Sequence, residues 1–322
     1  MPRKKYIKYL KTILPLFLGV FFVYLSYLHS TPQERQALYE NILEAKIGYV
    51  LLSVSFGVLS HASRAYRWKF LIEPLGYQLP FKLSFPAVMS GYLANLGVPR
   101  SGEVLRAATV ASYKRIPFET SLGTIISERV ADLIMLFLVV SFTFFLQSEQ
   151  LIFLFNRFEI NPFIGLLALG ILIGGGILFL RIIKRTKNKW LSKLRDFGQG
   201  ILLGMKSILK MEKRWWFLFH TVFIWAMYIS MFFVMKYAIY GAEDIPTNVI
   251  MLAFVVGSFA ITLSNGGIGI YPIAIGSAMF LYGIPRETGE AFGWVLWGSQ
   301  TLINIILGSL SLFLLPIFHK KD

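Results

Sequence analysis

The sequence predicts an all-α, polytopic membrane helix bundle, and three observations predict it. Hydrophobic residues make up 56% of the 322-residue chain and charged residues only 15%, where a soluble domain carries about 25% charged residues. The mean hydropathy is +0.62, and apolar runs of bilayer-crossing length recur along the whole chain rather than at one end. The longest polar stretch, residues 181–214, is too short to build an independent soluble core. The expected organisation is a single transmembrane domain, 1–322, in the cytoplasmic membrane and without an appended soluble enzyme.

The first element has Arg3, Lys4, Lys5, Lys8 and Lys11 ahead of the apolar run 13–28. No small-residue cleavage site follows in Tyr27-Leu28-His29-Ser30-Thr31, so it reads as an uncleaved signal anchor. Further apolar segments lie at 47–63, 83–98, 120–146, 162–183, 215–240, 247–264, 270–282 and 291–316. A spanning helix needs about 20 apolar residues, and most of these qualify. Segments 83–98 and 270–282 are short, and each adjoins a Gly/Pro-rich break.

Loop charge orients these segments. The basic N-terminus is expected inside, the weakly acidic connection 29–46 outside, and the connection 64–82, with Arg64, Arg67, Lys69 and Lys82, inside. The next connection, 99–119, is also basic, so 83–98 cannot cross without breaking the pattern. A segment that dips in and returns resolves the conflict. The same reasoning applies at the other end. Residues 181–214 carry eleven Lys/Arg against two acids, which makes 184–214 a basic cytoplasmic connection, either solvated or lying on the inner leaflet through Trp190, Leu191, Leu194 and Phe197. With a basic C-terminus also inside, 247–282 must start and finish outside. The expectation is about six full spans plus two oppositely oriented re-entrant broken helices, an arrangement resembling the inverted repeats of transporters. Both termini are then cytoplasmic and residues 147–161 external.

Charge and composition also exclude function classes. A net charge of +15 would suggest nucleic acid in a soluble protein. Here most basic residues flank apolar segments, which points to membrane lipids with anionic headgroups and away from nucleic acid. There are no cysteines, and the four histidines, His29, His61, His220 and His319, have no metal-ligand spacing, so neither a metal nor a cofactor is expected.

Four constellations carry the polar chemistry. In Asn95 to Arg106, Gly97 and Pro99 break the helix and Ser101 reads as the N-cap of a new one from about Gly102. Free backbone N–H groups beside Arg100 would then make an anion site, with Glu103 and Arg106 on one helix face; an ordinary basic loop is the other reading. Glu128, Arg129 and Asp132 fall within about a 100° wedge of the helix over 120–146. Charges near one face of a membrane helix must be paired or face water, either as a substrate or proton site or as a lock between helices. His61-x-x-Arg64-x-x-Arg67-Trp68 ends the second span, with Arg64 and Arg67 as secondary binding candidates or as interfacial anchors. Finally, Asn265, Gly266 and Gly267 open Ser264 to Pro272, where glycines permit close backbone approach to a ligand or to a neighbouring helix.

Taken together, Arg67-Trp68, Asn95-x-x-x-Pro99-Arg100-x-Gly102-Glu103-x-x-Arg106, Glu128-Arg129-x-x-Asp132 and Gly266-Gly267-Ile268-Gly269 resemble the transmembrane region of lysylphosphatidylglycerol synthase, a flippase-like membrane family. The resemblance covers about residues 10–316. In the bifunctional members of that family this membrane region flips an aminoacylated phospholipid made by a C-terminal soluble domain; such a domain is not expected here, so the resemblance does not imply aminoacyl transfer. One departure is Tyr271-Pro272, where the family often has an acid after the glycines.

The expected function is a lipid translocase, not an enzyme, for an anionic-headgroup phospholipid or polyprenyl-linked sugar. Arg100, Arg106 and Arg129 would hold phosphate. Glu103, Glu128 and Asp132 would orient them or carry a proton, and Asn95 and Asn265 would supply polar contacts. Two alternatives stay open: an intramembrane enzyme acting on lipid phosphate, and a scaffold assisting a partner glycosyl or acyl transferase.

Overall fold

The computed structural model of the chain describes residues 20–21, 23–114, 116–148, 211–264 and 266–318. Segment 162–183 and most of the basic connection 184–214 lie outside the described residues. The elements are α-helical, apart from one 3-10 turn, with no strand among the described residues. The chain forms two compact units, Met1–Ile125 with Trp215–Asp322, and Ile126–Arg214.

Residues 23–29 are helical, and a polar helix follows within the expected connection 29–46. This is α1, Pro32–Leu43. The Thr31 hydroxyl accepts from the Glu34 N–H at 3.2 Å, and the Glu34 carboxylate accepts from the Thr31 N–H at 2.6 Å. That reciprocal capping, with proline pre-setting the first turn, starts α1 without any apolar drive. Helix α2, Ile47–Ile72, leaves α1 through a bend of 71°. The Lys46 N–H donates to the Ala238 carbonyl at 2.9 Å, and Lys46 Nζ pairs with Glu243 at 3.1 Å. Helix α2 continues well past residue 63, so Arg64, Arg67 and Trp68 are interior residues of the helix. It ends in the 3-10 turn Glu73–Leu75, closed by Gly76 at φ 85°.

Two pairs of adjacent helices include the short segments. Helices α3, Phe81–Gly97, and α4, Ser101–Lys114, form the first. Helix α5 is Phe118–Leu146 and α6 is Arg214–Met235. Helices α7, Thr247–Leu263, and α8, Ile270–Phe280, form the second hairpin. Its helices rise about 25 and 16 Å at 1.5 Å per residue, short of a hydrocarbon core of about 30 Å. The last helix, α9, is Arg286–Phe318. Among the described residues α5, α6 and α9 are long and apolar enough to cross a membrane, and the bent pair α1–α2 makes a fourth candidate. This is an integral membrane protein.

Helix α9 is the post on which the first unit is assembled. Against α8 the contact is nearly backbone to backbone: a Cβ on Gly293 would lie 2.5 Å from Pro272 Cα, and one on Gly289 2.8 Å from Gly276 Cα. Further along, a Cβ on Gly308 would meet Met89 O of α3 at 2.9 Å. Small residues let membrane helices approach this closely, so dispersion contacts replace the hydrophobic drive that lipid cannot provide. Helix α2 lies alongside in the same direction: Gln300 Nε2 donates to Ser53 O at 3.2 Å, and Asn304 lies beside His61. Exposed Leu302, Leu310 and Phe313 on α9 form its outward surface, as expected of side chains that face lipid.

Candidate functional site

The first break is built by residues whose backbone cannot continue a helix. Val98 is extended (φ −131°, ψ 118°), as suits a residue before proline. Arg100 sits at φ 62°, a left-handed conformation uncommon for a residue with a Cβ. The expected N-cap at Ser101 is corrected: Ser101 is the first helical residue, and its hydroxyl donates to the Val98 and Ala94 carbonyls at 2.7 and 2.9 Å. The capping oxygen comes from seven residues back, where Asn95 Oδ1 accepts from the Gly102 N–H at 2.7 Å. The Ser101 N–H bonds Val98 O at 3.1 Å. Two of the N–H groups expected to be free for an anion are therefore already engaged. Asn95 is a clasp between α3 and α4, Arg100 is exposed at the tip, and Glu103 is half-buried in the first turn of α4.

The second break uses glycine. Gly266, Gly267 and Gly269 have φ of 67°, 85° and 70°, the region glycine enters without a Cβ penalty. The Gly267 N–H donates to Ser264 Oγ at 3.0 Å, and Trp297 Nε1 of α9 donates to Gly266 O at 2.7 Å. A Cβ on Gly267 would come within 3.1 Å of both Trp297 Nε1 and Tyr271 Cβ. Asn265 lies outside the described residues. The two breaks meet: the Cβ position of Gly266 is 3.6 Å from Leu96 Cδ2, in the last turn of α3. The contact is apolar at this point.

The guanidinium groups gather around Trp68. Arg64, Arg67 and Arg106 are only 3%, 0% and 4% exposed, and Trp68 is fully buried. Arg106 of α4 lies over the Trp68 ring at 3.8 Å. Trp68 Nε1 donates to Thr124 Oγ1 on α5 at 2.8 Å, and the Thr124 hydroxyl in turn donates to Ser121 O at 2.7 Å. Arg67 donates to Thr221 Oγ1 of α6 at 2.8 Å, with its guanidinium 5.2 Å from the Phe217 ring, and Arg64 donates to Tyr228 at 3.3 Å. Such burial overturns the anchor reading of Arg64, Arg67 and Trp68, because an anchor keeps its polar end at the headgroups. At each of these contacts a hydroxyl or ring fixes the guanidinium geometry. One turn before Arg64, His61 is buried with its ring 4.4 Å from Tyr92.

The second unit contributes its own charged stripe along α5. Glu128 is fully buried. Arg129 and Asp132 pair at 3.8 Å, with the arginine side chain half exposed and the acid 12% exposed. The expected wedge is thus divided, with Glu128 turned inward and Arg129 turned outward.

Sequence reasoning did not find Thr221 and Tyr228, the partners that seat Arg67 and Arg64. Single hydroxyls in apolar helices carry no pattern that a hydropathy reading can separate from ordinary packing.

The family model for the lysylphosphatidylglycerol synthase TM region matches residues 12–308. The chain belongs to this family. Within the family's membrane region lie both breaks, the buried arginines and the Glu128–Asp132 stripe. A UPF0104 membrane protein of Methanocaldococcus jannaschii is 26% identical over 249 residues, which is 71% of each chain. No solved structure matches.

Proposed function

We propose that the protein is a translocase for a lipid with an anionic headgroup, a phospholipid or a polyprenyl-linked sugar. The observation that carries this reading is the gathering of Arg64, Arg67 and Arg106 around Trp68. A charged residue in a membrane helix costs about 2.5–3.5 kcal/mol on insertion scales, so intramembrane arginines mark a functional requirement. Phosphate is the ligand whose oxygens suit several guanidinium forks at once. Arg100 at the exposed tip would meet the headgroup first and Arg106 would hold it deeper. Glu103 would orient that pair, while Glu128, Arg129 and Asp132 would balance charge or carry a proton within the second unit.

In this reading both termini lie in the cytoplasm, the α3–α4 hairpin enters from inside and the α7–α8 hairpin from outside. Their touching tips, Leu96 and Gly266, support an arrangement in which broken helices meet near the midplane. The test is headgroup-labelled lipid in reconstituted vesicles. Redistribution between leaflets, faster for phosphatidylglycerol than for phosphatidylcholine, with that preference lost in Arg106→Gln, is the expected result. Altered lipid mass would instead reveal an enzyme, and neither change would leave a scaffold for a partner transferase.

A further inference from the structure

The first unit holds a second polar site, remote from the arginines. A cavity of about 240 Å³ lies among residues 23–30, α1, α8 and the start of α9. Its polar lining includes Glu34, Arg35, Arg286, Glu287 and Glu290, with Tyr27 beside them. Glu290 is 5% exposed and Gly276 of α8 presses on its stem, with a Cβ there only 2.5 Å from Glu290 Cγ. Helix α9 runs about 21 Å from Glu290 to Asn304, which lies beside the His61 preceding the arginine cluster. The cavity and the cluster therefore sit toward opposite ends of α9.

The charges of this cavity do not cancel, and much of the positive charge is committed. Arg35 donates to the Tyr27 and Ser30 carbonyls at 2.6 and 2.8 Å and to Ser30 Oγ at 3.2 Å, while its guanidinium covers the Tyr27 ring at 3.7 Å. Arg286 pairs with Glu290 at 3.5 Å and donates to Ser277 at 3.3 Å. Ser26 donates to both Glu290 oxygens at 3.1 and 3.2 Å. With all three carboxylates ionised, three against two guanidinium groups give a formal excess of one negative charge in this partly enclosed space, which His29 also lines. Hydrogen bonds from Thr31 hold the Glu34 carboxyl below its ordinary value, so it is ionised at neutral pH.

A single positive charge that donates hydrogen bonds completes this set. An ammonium offers three N–H donors to carboxylate oxygens that have further lone pairs to fill. A quaternary ammonium is the poorer fit, since it has no N–H and depends on open aromatic faces, and the Tyr27 face is already covered by Arg35. We propose that this cavity binds a primary ammonium group, carried by a lipid headgroup whose phosphate lies toward Arg286. The proposal does not rest on the translocase reading.

The test is native mass spectrometry of the full chain released from vesicles of matched acyl chains, bearing phosphatidylethanolamine, phosphatidylcholine or phosphatidylglycerol. Phosphatidylethanolamine should be retained at least ten-fold better than phosphatidylcholine, and Glu287→Gln should remove most of that difference. Glu287 is only half-buried in the first turn of α9, so this variant folds even if Glu290→Gln does not. Soluble phosphoethanolamine that competes at equal concentration would assign the site to a free amine and still support ammonium recognition. Failure to compete would support the lipid as its carrier. Equal retention of phosphatidylethanolamine and phosphatidylcholine, or unchanged retention by Glu287→Gln, would overturn the proposal.

Discussion

At the scale of residues, Trp68 joins three helices. Its ring carries Arg106, its backbone neighbour Arg67 reaches Thr221, and its Nε1 donates to Thr124. Trp68→Phe keeps an aromatic face under Arg106 but leaves the Thr124 oxygen without that donor. An acceptor stranded in a buried site costs about 1–3 kcal/mol. Unfolding in mild detergent should show that loss, and Trp68→Leu, which also removes the π face, should lose more. A Trp68→Phe protein as stable as the parent would show that the hydrogen bond contributes nothing. The types of these residues were legible in the sequence; their burial was not. A hydropathy reading stops at the first cluster of charge, which ended α2 near residue 63, whereas hydroxyls on α5 and α6 let the helix carry its arginines inward. Glu128 and Arg129 show the same gap between type and placement: one wedge was expected, and the helix turns one inward and the other outward.

At the scale of elements, each hairpin depends on glycines that differ in what they tolerate. A Cβ on Gly102 would lie 2.7 Å from Asn95 Nδ2 and closer still to the Gly91 carbonyl, while one on Gly97 meets nothing within 4 Å. Gly102→Ala should therefore force α3 and α4 apart at a cost of about 1–3 kcal/mol, in the range of overpacking. Gly97→Ala, helical and open, should be neutral or stabilising by about 0.5–1 kcal/mol. Thermal unfolding of the two variants side by side checks the pair, and equal destabilisation would show that helix propensity, not the clasp, governs the hairpin. Both hairpins were readable in advance from their shortness and their Gly/Pro breaks. The capping was misread because the oxygen that caps α4 belongs to Asn95 on α3. A local motif search looks for the cap next to the helix it starts, and here tertiary contact puts it on the preceding helix. The reverse holds for α1: its capping box, Thr31 to Glu34, is local, but an apolar reading passes over a polar helix.

At the scale of the whole molecule, the first unit places a buried guanidinium cluster and an acidic cavity toward opposite ends of α9, with the two hairpin tips touching. If a lipid headgroup passes the broken helices, the tips must separate, because Leu96 fills the space over Gly266. The chain has no cysteine, so a Leu96→Cys, Gly266→Cys pair can be joined by a short bis-thiol-reactive linker without background. Gly266 at φ 67° makes a side chain there costly by about 1–2 kcal/mol, which the flexible linker accommodates better than a direct disulfide. Cross-linking should proceed within one chain in native membranes. The joined protein should lose lipid redistribution at least ten-fold while keeping its preference for phosphatidylethanolamine, because the ammonium cavity is lined from residues 23–38, α8 and α9. Absence of cross-linking would mean that the tips stand apart in the membrane. A joined protein that still moves lipid would mean that the headgroup takes a route other than between them, and the buried arginines would then have to work without the breaks.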